Sequence, residues 1–127
     1  MEGKALQDVA AHRAQELPAS ELTHPFGEDW DVFKVRGKVF MLLTALADEP
    51  LVVLKTEPEE SEALRAVYPD VTPGYHMNKR HWITLHPGGR LDAEQVEELV
   101  TGSYLLVVGG LPRAQQPVDP ETFGAAL

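Results

Sequence analysis

Along the chain, apolar positions recur first at three- and four-residue spacing and later at every second residue. Leu6, Val9, Ala14 and Leu17, with Arg13 beside Ala14, mark one stripe of an amphipathic helix over residues 5–17, leaving Gln7, Asp8, His12 and Glu16 for solvent. Pro18 stops it. Residues 19–23 read as a polar link leading to the rigid turn His24-Pro25-Phe26-Gly27, with Phe26 expected as a plug over the core edge and Trp30 as a structural lid near the sheet edge. Two strands follow, over residues 31–35 and 38–47, joined at Arg36-Gly37, where glycine supplies the positive φ of a tight hairpin. In the first, Phe33 and Val35 share one face and Lys34 and Arg36 the other. The second is apolar on both faces from Val39 to Leu43, which predicts a central strand covered on both sides. Asp48-Glu49-Pro50 makes the next turn, before a third strand over 51–55.

A second helix is predicted to run to Val67, with Thr56 as N-cap, Pro58 in the first turn, Glu59 completing a capping box, and Ala63, Leu64 and Val67 buried. The acidic side chains of its first turn suit the positive end of the helix dipole, so no catalytic carboxylate pair is needed to explain them. Residues 71–74 are expected to be irregular, and Asn78-Lys79-Arg80 to turn before a strand over 81–85. Asp92 with Gln95 three residues on is the clearest helix start, and Leu91 can staple to Val96. Val96, Leu99, Val100, Ser103 and Val107 form its buried stripe, Gly102 is placed to break it into two, and Gly109-Gly110 stops it. The order is helix, hairpin, strand, helix, strand, helix. That predicts an α+β fold in which an antiparallel β-sheet packs in two layers against N-terminal, middle and C-terminal helices. One domain is expected over 1–111, with a loose C-terminal tail over 112–127.

Composition narrows the function. With 43% apolar and 24% charged residues a folded globule is the default. No apolar run approaches the about 18 residues that span a bilayer, and the first residues have no signal-peptide core, so no membrane role and a cytoplasmic location are expected. The absence of cysteine excludes thiolate nucleophiles and cysteine metal sites. A net charge of −9 opposes nonspecific binding of polyanions, yet residues 71–90 contain no acidic residue, and salt screens distant charge over about 10 Å. Within that stretch lies a dense mix of cations, histidines and aromatics: Tyr75, His76, Asn78, Lys79, Arg80, His81 and Trp82. With Lys34, Arg36, Lys38 and Lys55 they are the candidate binding residues. Arginine offers a bidentate fork to phosphate, lysine a point charge, and an aromatic ring a stacking surface. Trp82 can equally serve the core, Tyr75 and His76 the loop backbone, Asn78 a turn or a base edge, and Lys79 and Arg80 ion pairs with the acidic helix.

His76, His81 and His86 recur every five residues, a spacing that matches no helical ligand pair, so no metal and no cofactor are expected. No nucleophile elbow, Walker motif or dinucleotide fingerprint occurs. The reading is a non-enzymatic binding domain for nucleic acid or another polyanion, monomeric or weakly dimeric. A protein-interaction module, or a small enzyme with His76 or His81 as general base, stays open as an alternative.

Several blocks also resemble a known family. Leu17-Pro18, Pro25-Phe26-Gly27 and Phe33-Lys34-Val35 with Gly37-Lys38 look like the N-terminal signature of the YjbR/MmcQ-like proteins. Pro73-Gly74-Tyr75-His76-Met77-Asn78-Lys79-Arg80-His81-Trp82 looks like their central motif, and Ser103-Tyr104, Leu106-Val107 and Leu111-Pro112 resemble their closing helix and tail. The resemblance implies a small two-layer α+β domain, compared with secretion-chaperone-like and double-wing DNA-binding folds and labelled DNA-binding largely on that comparison. No agreed activity or cofactor comes with it. The chain departs from the pattern in having no cysteine in its first helix and Ala19 where a glycine is common.

Overall fold

The structure, a computed structural model, describes residues 1–124; the end of the C-terminal tail, residues 125–127, lies outside the described residues. Six strands form one antiparallel sheet: β1 (Ser20–Thr23), β2 (Asp31–Val35), β3 (Lys38–Leu46), β4 (Glu49–Lys55), β5 (Val71–Pro73) and β6 (Trp82–Leu85). Their order is β1-β2-β3-β4-β6-β5, so the first four form a meander and β6 lies between β4 and its own hairpin partner. Three helices, α1 (Ala5–Glu16), α2 (Pro58–Val67) and α3 (Ala93–Gly109), complete the two-layer α+β fold.

Alternation along the strands divides the core in two. Phe33, Val35, Met41, Leu43, Val52, Leu54, Ile83 and Leu85 meet Leu6, Ala10 and Ala14 of α1, Leu64 of α2 and Val96, Val100, Tyr104 and Val107 of α3. On the opposite face, Val32, Leu42, Val53 and Trp82 form a smaller cluster, covered by Trp30, Val39, Tyr75 and Met77 rather than by a helix. β3 is therefore buried on both faces, as its unbroken apolar run requires. A bulge sits where Phe33 pairs with Met41 and Lys34 with Val39, leaving Phe40 unmatched. Ser103 repairs the ladder there. Its hydroxyl donates to the Phe40 carbonyl at 2.6 Å and accepts the Lys55 N–H at 2.8 Å, at a position of α3 with no solvent exposure.

Several elements differ from the sequence expectation, each for a physical reason. Residues 19–23, expected as a link, contain β1, because an edge strand pairs through its backbone and need not be apolar. Residues 71–73, expected as irregular, form β5 on the other edge, paired to β6. The turn after β3 is at Ala47-Asp48, both at positive φ, so Glu49 and Pro50 already belong to β4. Thr56 does not cap α2: its N–H is held by the His81 carbonyl at 2.9 Å, Glu57 takes the N-cap position without a side-chain bond, and the Thr56 hydroxyl is buried without a partner among the described residues. In α2 only Ser61 is fully buried, while Ala63 and Val67 are exposed, because the helix touches the sheet only at its β5–β6 margin. Gly102 does not break α3. It faces open space, and burial of Val100, Ser103, Tyr104 and Val107 outweighs the about 1 kcal/mol that a mid-helix glycine costs. Gln7, expected in solvent, donates to the carbonyls of Thr44 and Leu51 at 2.7 and 2.9 Å and ties α1 to the sheet. Phe26 is 68% exposed instead of plugging the core.

Other expectations hold. Asp92 and Gln95 form the reciprocal capping box, both central residues of the β2–β3 turn, Arg36 and Gly37, have positive φ, and Gly110 caps α3. The segment after Leu111, expected as a loose tail, instead makes a 3-10 turn over residues 113–115, and its Val118 and Phe123 pack against the main core. No helix among the described residues is long and apolar enough to cross a membrane.

Candidate functional site

Antiparallel pairing decides which ends of the strands lie together. The end of β2, the start of β3, the end of β4 and the start of β6 share one pole of the sheet. In sequence those termini are Lys34, Arg36, Lys38, Lys55, Lys79 and Arg80. The turn carrying Arg113 joins the same pole, because Arg36 Nε donates to the Gln115 carbonyl there at 3.1 Å. Seven of the chain's 11 lysines and arginines are thus gathered at one end. Among the described residues none of the seven forms an ion pair. Glu57, Glu59 and Glu60 begin α2 near this pole but on the helical side, and they pair with neither Lys79 nor Arg80.

On the face away from the helices, Lys34 lies across from Glu21 and Val39, and Lys55 across from Trp82. Strand spacing places these two lysines about 10 Å apart on either side of Val39. Lys38 is exposed and, with Val39 and Lys55, lines a recess of about 260 Å³ against Leu106, Val107 and Gly110 at the end of α3. Arg36 is directed to the C-terminal segment and does not join this face.

Residues 74–81 form a flap over the same face. At its base the Gly74 N–H meets the Trp82 carbonyl at 2.8 Å, and a Cβ on Gly74 would lie 2.5 Å from Trp82 Cβ, so only glycine fits. Thr84 Oγ1 donates to the Pro73 carbonyl at 3.0 Å and accepts the Tyr75 N–H at 2.9 Å. Tyr75 then lies nearly parallel to Trp30, at 4° and 6.2 Å between ring centroids, while Phe26 meets Trp30 edge-on at 6.3 Å. His76 is exposed at the tip with φ of 60°, its ring 4.1 Å from Tyr75 and 5.7 Å from Trp30. The return limb is a polar turn: Asn78 Oδ1 accepts the Arg80 N–H at 2.9 Å, and Asn78 O accepts the His81 N–H at 3.2 Å. Lys79 Nζ reaches back to the Gly74 carbonyl at 3.0 Å and closes the flap. Arg80 is exposed, His81 half-buried, and Trp82 buried against Val32, Leu42 and Val53.

Lys34 and Lys55 therefore share the face to which the flap's return limb, carrying Lys79 and Arg80, comes back at the start of β6. Lys38 opens instead toward the end of α3, the flap tip leans on Trp30 near the start of β2, and Trp82 serves the core. Among the described residues no three metal-binding side chains converge, and His86 is held by Thr72 and Glu49 instead of joining His76 or His81. Thr84 was not singled out from the sequence. The one polar residue in an otherwise apolar strand was the available signal.

The family model for YjbR matches residues 15–106, which takes in the sheet, the flap and most of α3. The chain belongs to the YjbR family. The uncharacterized protein YbdF of Escherichia coli O157:H7 is 42% identical over 116 residues, covering 91% of this chain and 95% of that protein. The uncharacterized protein YjbR of Escherichia coli strain K12 is 38% identical over 90 residues, covering 69% and 76% respectively. Among solved structures, the Deinococcus radiodurans protein DR2400, described with a DUF419 domain, superposes with a TM-score of 0.78 at 38% identity, covering 86% of this chain and 83% of that one. A Pseudomonas syringae protein gives 0.66 at 28% identity, covering 79% and 96%. These structures share the two-layer arrangement, so YjbR-family membership and fold agree.

Proposed function

We propose that this chain is a polyanion-binding domain, with nucleic acid as the polyanion, and that it binds through the pole formed by Lys34, Lys38, Lys55, Lys79 and Arg80. The observation that carries the reading is the collection of seven cations, none ion-paired among the described residues, at one end of a protein of net charge −9. Burying or pairing those charges would have neutralised the surface; the fold leaves them at strand ends, where ammonium and guanidinium groups reach solvent. Phosphates met at this pole are screened from the acidic remainder by salt. The flap's return limb supplies Lys79 and Arg80, while its rings, Tyr75 and His76, pack on Trp30 near the start of β2, toward the other end of the face.

Fluorescence anisotropy with labelled single- and double-stranded oligonucleotides tests the reading. If four of the cations each neutralise one phosphate, duplex affinity falls about a hundredfold between 50 and 200 mM salt. Lys79→Glu with Arg80→Glu, folded by circular dichroism, is expected to abolish saturable binding. Absence of saturable binding to either form at 20 mM salt, or binding unchanged in the charge-reversed protein, would overturn the proposal.

A further inference from the structure

A second constellation lies at the other end of the helix-free face, outside the basic pole. It is assembled by pairing register from three segments. Thr72 of β5 sits directly across from Thr84 of β6. His86, two residues past Thr84, returns to the same face, and its backbone N–H meets the Asp70 carbonyl at 2.8 Å. The His86 ring is then held at both nitrogens: Nε2 lies 2.8 Å from Thr72 Oγ1, and Nδ1 lies 2.5 Å from Glu49 Oε1. An ionised carboxylate only accepts, so Nδ1 carries the ring proton. In the neutral ring that leaves the Nε2 lone pair facing the threonine hydroxyl. Hydroxyl, imidazole and carboxylate stand in the order that activates a nucleophile: the base within reach of the hydroxyl, and the base held in one tautomer by a third group.

The geometry points to Thr72 as an acyl-accepting nucleophile, with His86 as its general base and Glu49 as the residue that positions His86. The site is open to solutes. The His86 and Glu49 side chains are 28% and 47% exposed, and β5 is an edge strand. A recess of about 430 Å³ adjoins the histidine, lined by Pro69, Asp70, Pro87 and residues 88–90. Arg90 closes that recess, its guanidinium 5.6 Å over the Tyr68 ring and donating to the Val67 carbonyl. Arg90 shares the lining with the Asp70 carboxylate, so the recess sets no net preference for substrate charge. Its size suits a small ester, and a hydroxyl activated by a single base suits one with a good leaving group.

In the first step Thr72 Oγ forms a bond to the acyl carbon and its proton passes to His86 Nε2. The ester C–O bond breaks and the leaving oxygen departs, taking that proton if it is basic; where it leaves as the anion, as nitrophenolate does, Nε2 gives the proton to solvent before the second step. In the second, water attacks the acyl-threonine ester, gives its proton to Nε2, and the proton returns to Thr72 Oγ as the acid is released. No redox partner is required.

The test uses 4-nitrophenyl acetate with the full chain. Nitrophenolate release should be accompanied by one acetyl group on the peptide containing Thr72, located by tandem mass spectrometry. Thr72→Ala and His86→Gln should each slow release about a hundredfold, the usual worth of a positioned base or nucleophile. Thr72→Ser should keep the acetylation, and Glu49→Gln should lower the maximal rate at an unchanged half-saturating concentration. His12→Gln, which alters an exposed histidine elsewhere, controls for esterolysis by any free imidazole and should change nothing. Acetylation absent from Thr72, or release undiminished in Thr72→Ala with its circular dichroism intact, would overturn the proposal and leave the three residues as a tie that holds β5 on the sheet.

Discussion

Ala19 shows how much one backbone angle can carry. It turns the chain from α1 into β1 at φ of 61°, a region in which a Cβ crowds the following carbonyl. The strain of a left-handed alanine is roughly 1–2 kcal/mol, whereas glycine makes the unfolded chain freer by about 0.4–1 kcal/mol. The first term is larger. Ala19→Gly, the residue that the family resemblance favours here, is therefore expected to raise stability by roughly 0.5 kcal/mol, read as a higher urea midpoint at unchanged slope. A lower midpoint would mean that the turn is not strained.

Tyr104 carries a second single-residue effect. Its ring is fully buried against Phe40, and its hydroxyl donates to the Pro18 carbonyl at 2.6 Å. Burial raises its pKa above the ordinary 10.0, opposed in part by the charge of Arg36. The folded state thus holds the phenolic proton more tightly than the unfolded chain does. The resulting stabilisation is complete below pH about 10 and is lost as pH rises through the raised folded value. Tyr104→Phe should cost about 1 kcal/mol near neutrality through the lost hydrogen bond, yet decline less steeply in alkali. Urea titrations of both proteins at pH 8 and pH 11 measure this as a narrowing gap.

At the scale of elements, what was legible in the sequence is what local chemistry determines. The start of α3 needs only Asp92 and Gln95, three residues apart, and both capping bonds form. The β2–β3 turn needs only Arg36-Gly37. By contrast β1 and β5 are strands because of partners elsewhere, and their own residues are too few and too polar to announce it. Thr56 had the local signature of a cap, but the His81 carbonyl, 25 residues away in sequence, holds its N–H and leaves the hydroxyl buried and unbonded. The two readings make opposite predictions. If Thr56 capped α2, Thr56→Val would cost about 1 kcal/mol. Because its hydroxyl is an unsatisfied buried group, the same change should instead raise the thermal midpoint, by an amount equivalent to about 1 kcal/mol. A fall in the midpoint would show that the hydroxyl has a partner. The candidate site divides along the same line: the flap was visible as a dense run of chemistry, whereas the Thr72–His86–Glu49 set depends on strand register and has no sequence spacing to reveal it.

At the scale of the whole molecule, charge is sorted by topology. An excess of acid over the chain coexists with a basic pole because seven of the 11 cations fall at strand termini or turns at the same end of the sheet. Net charge alone argues against an anionic partner; the order of the strands nevertheless leaves one surface locally cationic. The fold class followed from the order of elements, since hairpin-length connections favour an antiparallel sheet. The placement of β6 beside β4 did not follow, because only the pairing of Val53 with Thr84 and of Lys55 with Trp82 decides it.

That insertion also shapes the route by which the molecule is made. The meander β1–β4 closes through successive short loops, so its contacts cost little chain entropy and can assemble early. β6 has to arrive afterwards, across α2 and β5, and α3 must then return to meet α1 nearly the whole chain length away, where Arg13 reaches Thr101. Folding should therefore wait on the last-made strand and helix. The flap, strung between β5 and β6, has no surface to close over until that docking is done, so the basic pole is completed only when the chain has reached its native state.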